Sequence, residues 1–200
     1  PALLVLANEA AGCVDGEACE NTVYGFRPSS LLTNLAAVSG VLGSVALPLL
    51  GSMVDHTPYR RQVGLWTAYV LILVKAVEIG VGQSTWIAIV CLQAFSAVLY
   101  NLHVTASHAY VSELSRDCSK QAAYNASFFV ILFVSTLLFM LHVMAWSFLM
   151  GTNDIGTARI SQAITCVTCL VFFVVSWQYL LPGRPALQPI PAGQTLLTAG

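Results

Sequence analysis

The sequence predicts an all-α integral membrane protein. Of its 200 residues, 57% are hydrophobic and only 8% are charged, whereas about 25% are charged in soluble proteins. Four stretches contain no Asp, Glu, Lys or Arg, namely residues 28–54, 79–112, 121–153 and 160–183. A helix of about 20 residues crosses a bilayer, and each stretch is longer than that. The composition therefore excludes a soluble enzyme, a nucleic-acid-binding protein, a disordered regulator and a small disulfide-rich secreted domain.

The apolar segments predict a six-helix bundle whose first helix is truncated. No Met opens the sequence, and residues 1–7 resemble the end of a span that began earlier. The fuller spans are predicted at residues 31–54, 63–81, 86–105, 128–150 and 160–181. Helices are expected because backbone groups in lipid need partners within their own segment. The bundle would end at residue 181, and the Gly- and Pro-rich residues 182–200 indicate the start of a cytoplasmic linker.

Basic residues near the ends of the spans predict the orientation. One side of the membrane would hold Arg60, Arg61, Arg116, Lys120 and Arg184. The other would hold only Arg27 and Arg159. Because cytoplasmic loops carry the excess of Lys and Arg, the first group is expected in the cytoplasm. The acidic loop at residues 8–30 then lies outside the cell or in a lumen, where a disulfide between Cys13 and Cys19 is permitted. Two free thiols are the alternative.

The loop between the second and third spans carries a spaced set of charges. Gly51, Asp55, Arg60 and Arg61 follow a pattern of Gly, three residues, Asp, four residues and a basic pair. This pattern and its position resemble the signature of the major facilitator superfamily. The resemblance implies the amino-terminal half of a transporter fold, a second half in the rest of the same protein, and a gating role for these residues. The alternative is that they are solvated loop charges that set topology.

The end of the fourth span shows a second likeness. Residues 101–114 carry small residues, a Tyr and a Glu-Leu pair as they enter the cytoplasmic loop. This segment is similar to the autophagy-related vacuolar amino-acid effluxer family. The resemblance implies efflux of amino acids from a vacuole or another endomembrane compartment with the proton as coupling ion, with the plasma membrane as the alternative location.

Several polar side chains interrupt the apolar spans and are costly in lipid unless they find partners. Lys75 and Glu78 lie three residues apart, and they form either a structural ion pair or part of a proton or substrate pathway. The other pathway candidates are Gln93, Tyr100, Asn101, His103 and His142. Hydrogen bonding between helices is the alternative role for each of them.

A membrane-embedded enzyme is disfavoured because the sequence lacks catalytic motifs. The sequence has no paired carboxylates within a span, no metal-binding His motif and no Gly-rich phosphate loop. We therefore expect no catalytic residues, no metal and no cofactor. The expected partners are membrane lipid, a small solute such as an amino acid, and the proton, without nucleic acid. The alternative is a non-transporting polytopic scaffold or receptor-like protein.

Overall fold

The computed structural model describes residues 2–13, 20–111, 114–115, 117–181 and 183. Within these ranges the chain is all-helical and contains no β-strand. The helices are α1 (Ala2–Ala10), α2 (Pro28–His56), α3 (Arg60–Glu78), α4 (Trp86–Val111), α5 (Cys118–Met150) and α6 (Asp154–Val175). A π-helical turn, Ser176–Leu180, continues α6. Residue 1, Cys19, Arg116 and all of the predicted linker except residue 183 lie outside the described residues.

Four helices in the described part of the chain are long and apolar enough to cross a membrane. They are α2, α4, α5, and α6 together with its π-helical turn. The prediction of an all-α membrane protein is confirmed at this level. The third predicted span is not among the four, because α3 has only 19 residues and carries charges at both ends. The truncated first span corresponds to the nine-residue helix α1.

Several helices extend beyond the apolar segments that predict them. Helix α2 begins at Pro28 rather than residue 31, since Pro is well suited to the first turn of a helix. Helix α5 begins at Cys118 rather than residue 128, because the side chain of Asp117 accepts a hydrogen bond from the Ser119 N–H at 2.9 Å and caps it. The 33 residues of α5 span about 50 Å, so α5 is longer than a bilayer core of about 30 Å.

The helices alternate in direction, which gives the bundle two distinct ends. At the first, called the acidic-loop end, Arg159 donates from Nε and Nη2 to the Val81 carbonyl at 2.9 and 2.8 Å. Gln83 donates to Glu9 at 3.1 Å at the same end. At the opposite end, called the arginine end, α3 begins with Arg60 and Arg61 beside the last residues of α4 and the π-helical turn. The polar loops are therefore segregated to the two ends of an apolar bundle.

Helix α4 is the centre of the packing. It lies against α2 on one side and α3 on the other, and α3 also packs against α6. One buried cluster closes the acidic-loop end and includes Leu6, Ala7, Leu31, Val81, Trp86, Ile89 and Val90. A second closes the arginine end with Val54, Ala68, Ala106, Tyr110 and Trp177. A third, formed by Leu71, Leu99 and Leu102, lies between α3 and α4.

Helix α5 lies at the edge of the bundle. Among its described residues only Val143 is buried, whereas apolar side chains such as Phe148 and Leu149 are widely exposed. Its main contacts are with α6. A helix that exposes apolar residues on most of its surface suits a lipid environment, because such a surface would be unfavourable in water.

Candidate functional site

A large cavity opens in the half of the bundle nearest the acidic-loop end. Its volume is about 820 Å³, which lies within the range of small-molecule sites. It is walled by residues 2–4 of α1, 32–36 of α2, 90–94 of α4, 139–144 of α5 and 154–162 of α6. These segments come from the first turns of α2, α4 and α6 and the later part of α5, which the alternating directions bring to the same end.

The walls of the cavity differ in chemistry. Helices α1, α2 and α5 contribute apolar side chains, among them Leu3, Leu35, Phe139 and Met144. The polar lining residues are Gln93 on α4 and, on α6, Asp154, Thr157, Ser161 and Gln162. Because Asp154, Thr157 and Ser161 recur at intervals of three and four residues, they share one helix face, and Gln162 lies beside Ser161 at the edge of that face. The cavity is thus amphipathic, with polar groups from α6 and Gln93 and apolar side chains from α1, α2 and α5.

Only one of the predicted pathway residues on α4 and α5 lines this cavity. Gln93 does so, whereas Tyr100 is 43% exposed on the outside of the bundle and Asn101 is also exposed. His142 lies outside the lining, and its Nε2 accepts a hydrogen bond from Trp146 Nε1 at 3.0 Å on the same helix. The polar face of α6 was not predicted, although the spacing of Asp154, Thr157 and Ser161 was a usable signal.

His103 lies in a buried aromatic cluster near the arginine end. Its ring stacks on Phe173 with centroids 4.1 Å apart and meets Trp177 edge-on at 5.6 Å. Trp177 Nε1 can only donate, so His103 Nε2 is the acceptor in their 3.5 Å contact. The proton then belongs on Nδ1, which lies 3.3 Å from Thr67 Oγ1. His103 therefore joins α3, α4 and α6 as a neutral imidazole.

The predicted Lys75–Glu78 pair forms, with Glu78 buried and Lys75 partly buried. Lys75 Nζ lies 2.7 Å from Glu78 Oε2, and the side chains are 19% and 0% exposed. Lys75 also donates to Ser96 Oγ at 3.2 Å, and Ser96 donates to the Gln93 carbonyl at 3.0 Å. Among the described residues, Glu78 Oε1 has no hydrogen-bond partner. Lys75 is thus the counter-ion on which the buried carboxylate depends, and its bond to Ser96 joins α3 to α4.

These hydrogen bonds connect the ion pair to the cavity. The chain of contacts runs from Glu78 through Lys75 and Ser96 to the backbone carbonyl of Gln93, a residue of the cavity lining. Ser96, which links α4 to the pair, was not predicted as a site residue. The ion pair is therefore bonded to the same turn of α4 that contributes Gln93 to the cavity wall.

The arginines of the predicted motif bind carbonyl groups at the arginine end. Arg61 donates from Nε to the Trp177 carbonyl at 3.1 Å and from Nη2 to the Gln178 carbonyl at 3.3 Å. These carbonyls lie in the terminal π-helical turn, where a cation also meets the negative end of the helix dipole. Arg60 is 1% exposed, donates to the Ala109 carbonyl at 3.4 Å and lies 5.2 Å from the centre of the Tyr110 ring. The two arginines thus fasten α3 to α4 and α6.

The other two motif residues are less constrained. Asp55 is exposed, and within the described part of the chain no ion pair joins it to Arg60 or Arg61. At Gly51 an added Cβ would meet no atom within 4 Å, so α2 makes no close approach there. The glycine that allows close packing at the arginine end is Gly64. A Cβ at Gly64 would overlap the Trp177 ring.

Cys13 is disulfide-bonded in the acidic loop. Its predicted partner, Cys19, lies outside the described residues, so the pairing stays a prediction. Cys91, Cys118, Cys166 and Cys169 are free thiols. No group of three metal-ligating side chains occurs in the described ranges.

Comparison with known proteins adds no family to this geometry. No family model matches the chain, and no match was found among curated proteins or solved structures.

Proposed function

We propose that the chain is the amino-terminal half of a secondary transporter of the major facilitator type, with the cavity as its part of the solute site. The observation that carries the proposal is the placement of Gln93 in the wall of an about 820 Å³ amphipathic cavity. Convergent polar groups in a largely apolar cavity are typical of small-molecule sites. In a membrane protein, such a cavity suits the passage of a solute better than a purely structural role.

The difference between the two ends of the bundle supports a mechanism of alternating access. The cavity lies near the acidic-loop end, whereas the arginine end is closed by a buried cluster and by the bonds of Arg60 and Arg61. Opening the arginine end would require the bonds of Arg61 to the Trp177 and Gln178 carbonyls to break. Interactions that form in one state and break in another are the usual means of fixing a conformational equilibrium.

The solute we propose is an amino acid, moved out of a vacuole or a similar compartment with a proton. The basis is the resemblance of residues 101–114 to the vacuolar effluxers. The neutral amides and hydroxyls of the cavity wall support this assignment, because they can hydrogen-bond to both charged groups of a zwitterion. The Lys75–Glu78 pair offers a buried carboxylate that is connected to the cavity wall.

The test is uptake of labelled amino acids, driven by a pH gradient, into membrane vesicles from cells that produce the protein from its own gene. Gln93→Leu should strongly reduce uptake because it removes a polar group from the cavity wall. The matched control is Gln62→Leu, since Gln62 is exposed and does not line the cavity. Absence of movement of every amino acid by the unchanged, folded protein would contradict the proposal and favour a scaffold.

A further inference from the structure

The charges around the cavity indicate which part of a solute it recognises. Asp154 is the only ionisable side chain among the described residues that line it. No hydrogen bond or ion pair within the described ranges engages the Asp154 carboxylate. The nearby cation of α6, Arg159, does not line the cavity, and its Nε and Nη2 both donate to the Val81 carbonyl. The lining therefore presents a negative charge without a positive one.

The position of Asp154 fixes the orientation of a bound solute. Asp154 is the first residue of α6, so it lies at the end of the cavity nearest the acidic loop, where it is exposed, and Thr157 follows one turn later on the same face. Phe139, Met140 and Val143 of α5 give the same cavity an apolar surface. A solute with a cationic head at Asp154 and an apolar body against α5 would match both surfaces.

We infer that the cavity takes soluble amphipathic primary amines, binding their ammonium group at Asp154 and their apolar body against α5. This inference rests on the proposed solute site and adds the basis of recognition, which is the ammonium group that amines and amino acids share. A carboxylate in the cavity would meet only neutral donors such as Gln93 and Gln162, which bind it less strongly than a cation does. An amino acid with a large apolar side chain then binds, but less tightly than its decarboxylated amine.

Three probes that share one phenyl ring separate the contributions of the two charges. Binding of phenylethylamine, phenylalanine and 3-phenylpropanoate is measured by calorimetry on the protein in phosphatidylcholine vesicles, without any gradient. The expected affinities decrease in that order, and 3-phenylpropanoate should bind at least about tenfold more weakly than phenylethylamine, which corresponds to one charge-assisted hydrogen bond. Equal affinities, a reversed order or no binding of the amine would each overturn the inference.

Variants test whether Asp154 is the ammonium partner. Asp154→Asn should weaken phenylethylamine at least about tenfold and leave 3-phenylpropanoate unchanged or tighter. Glu20→Gln is the matched control, because Glu20 is an exposed carboxylate of the acidic loop and does not line the cavity. Asp154 also lies in the first turn of α6, where a carboxylate stabilises a helix. A purely structural role would weaken all three probes together and overturn the assignment.

The amine could also come from a lipid headgroup, which a change of vesicle composition detects. Repeating the titration in vesicles that contain phosphatidylethanolamine should leave phenylethylamine binding unchanged. Loss of binding there would overturn the inference by assigning the site to an aminophospholipid. The outcome is separable from the proposed function, since binding in the expected order without gradient-driven uptake would refute transport and leave the amine site standing. Uptake without a preference for the amine would refute the amine site and leave the proposed transport function standing.

Discussion

The ring of Trp177 lies directly against Gly64, so closely that a Cβ on Gly64 would overlap its six-membered ring. Trp177 is 1% exposed and joins the start of α3 to the end of α6. Gly64→Ala should therefore destabilise the bundle by about 1–3 kcal/mol, as overpacking does in well-packed interiors. The measurement is unfolding by denaturant in micelles.

The control for this prediction is another glycine within a helix. At Gly40 an added Cβ meets no atom within 4 Å, so Gly40→Ala should stabilise α2 by about 0.5–1 kcal/mol through helix propensity alone. Equal effects of the two substitutions would show that the contact between Gly64 and Trp177 contributes nothing to stability.

Removal of the Lys75 cation should lower the free energy of unfolding by more than Gly64→Ala does. Lys75→Met leaves the Glu78 carboxylate buried without its counter-ion and should cost about 3–5 kcal/mol. The double variant Lys75→Met/Glu78→Gln should recover most of this loss, because no uncompensated charge remains. Lys120→Met is the control, since Lys120 is exposed. A double variant as unstable as Lys75→Met alone would contradict the account.

Arg61 should matter more for stability than Asp55 does. Arg61→Gln removes two charged donors from the Trp177 and Gln178 carbonyls and should cost about 1–3 kcal/mol. Asp55→Asn should change the free energy of unfolding by less than about 0.5 kcal/mol, because Asp55 is exposed. The comparison requires denaturant titrations of both variants under one condition, and a larger loss for Asp55→Asn would contradict it.

The stability of the first turn of α5 should depend on pH through Asp117. Hydrogen bonds from the side chain and backbone N–H of Ser119 lower the pKa of Asp117 below its ordinary value. A carboxylate whose pKa is lower in the folded state contributes stability above its unfolded pKa of about 3.9, and this is lost as the pH falls through the lower folded value. Hydrogen exchange in the first turn of α5 should therefore accelerate in acid. Asp117→Asn should remove this dependence, because a neutral amide still caps the helix.

The sequence predicts the helical class and the Lys75–Glu78 pair because both depend on local spacing. Apolar runs mark the spans, but they miss the polar first turns of α5, where the cap at Asp117 decides the start. The partners of Arg61 are carbonyl groups more than a hundred residues later, and no local pattern indicates them. Similarly, the sequence groups Gln93, Tyr100 and His103 as pathway candidates on the fourth span, whereas in the structure they lie in the cavity wall, on the exterior and in the aromatic cluster.

The central claim is that a water-filled solute cavity reaches Gln93 from the acidic-loop end while the arginine end is closed. The direct measurement is labelling of Gln93→Cys by a membrane-impermeant thiol reagent, added separately to each side of sealed vesicles in a background without the native free cysteines. The account predicts fast labelling from the acidic-loop side, slow labelling from the other side, and protection by phenylethylamine. His103→Cys, at a buried position, should label slowly from both sides. Failure of Gln93→Cys to label from either side would show a sealed bundle and contradict the claim.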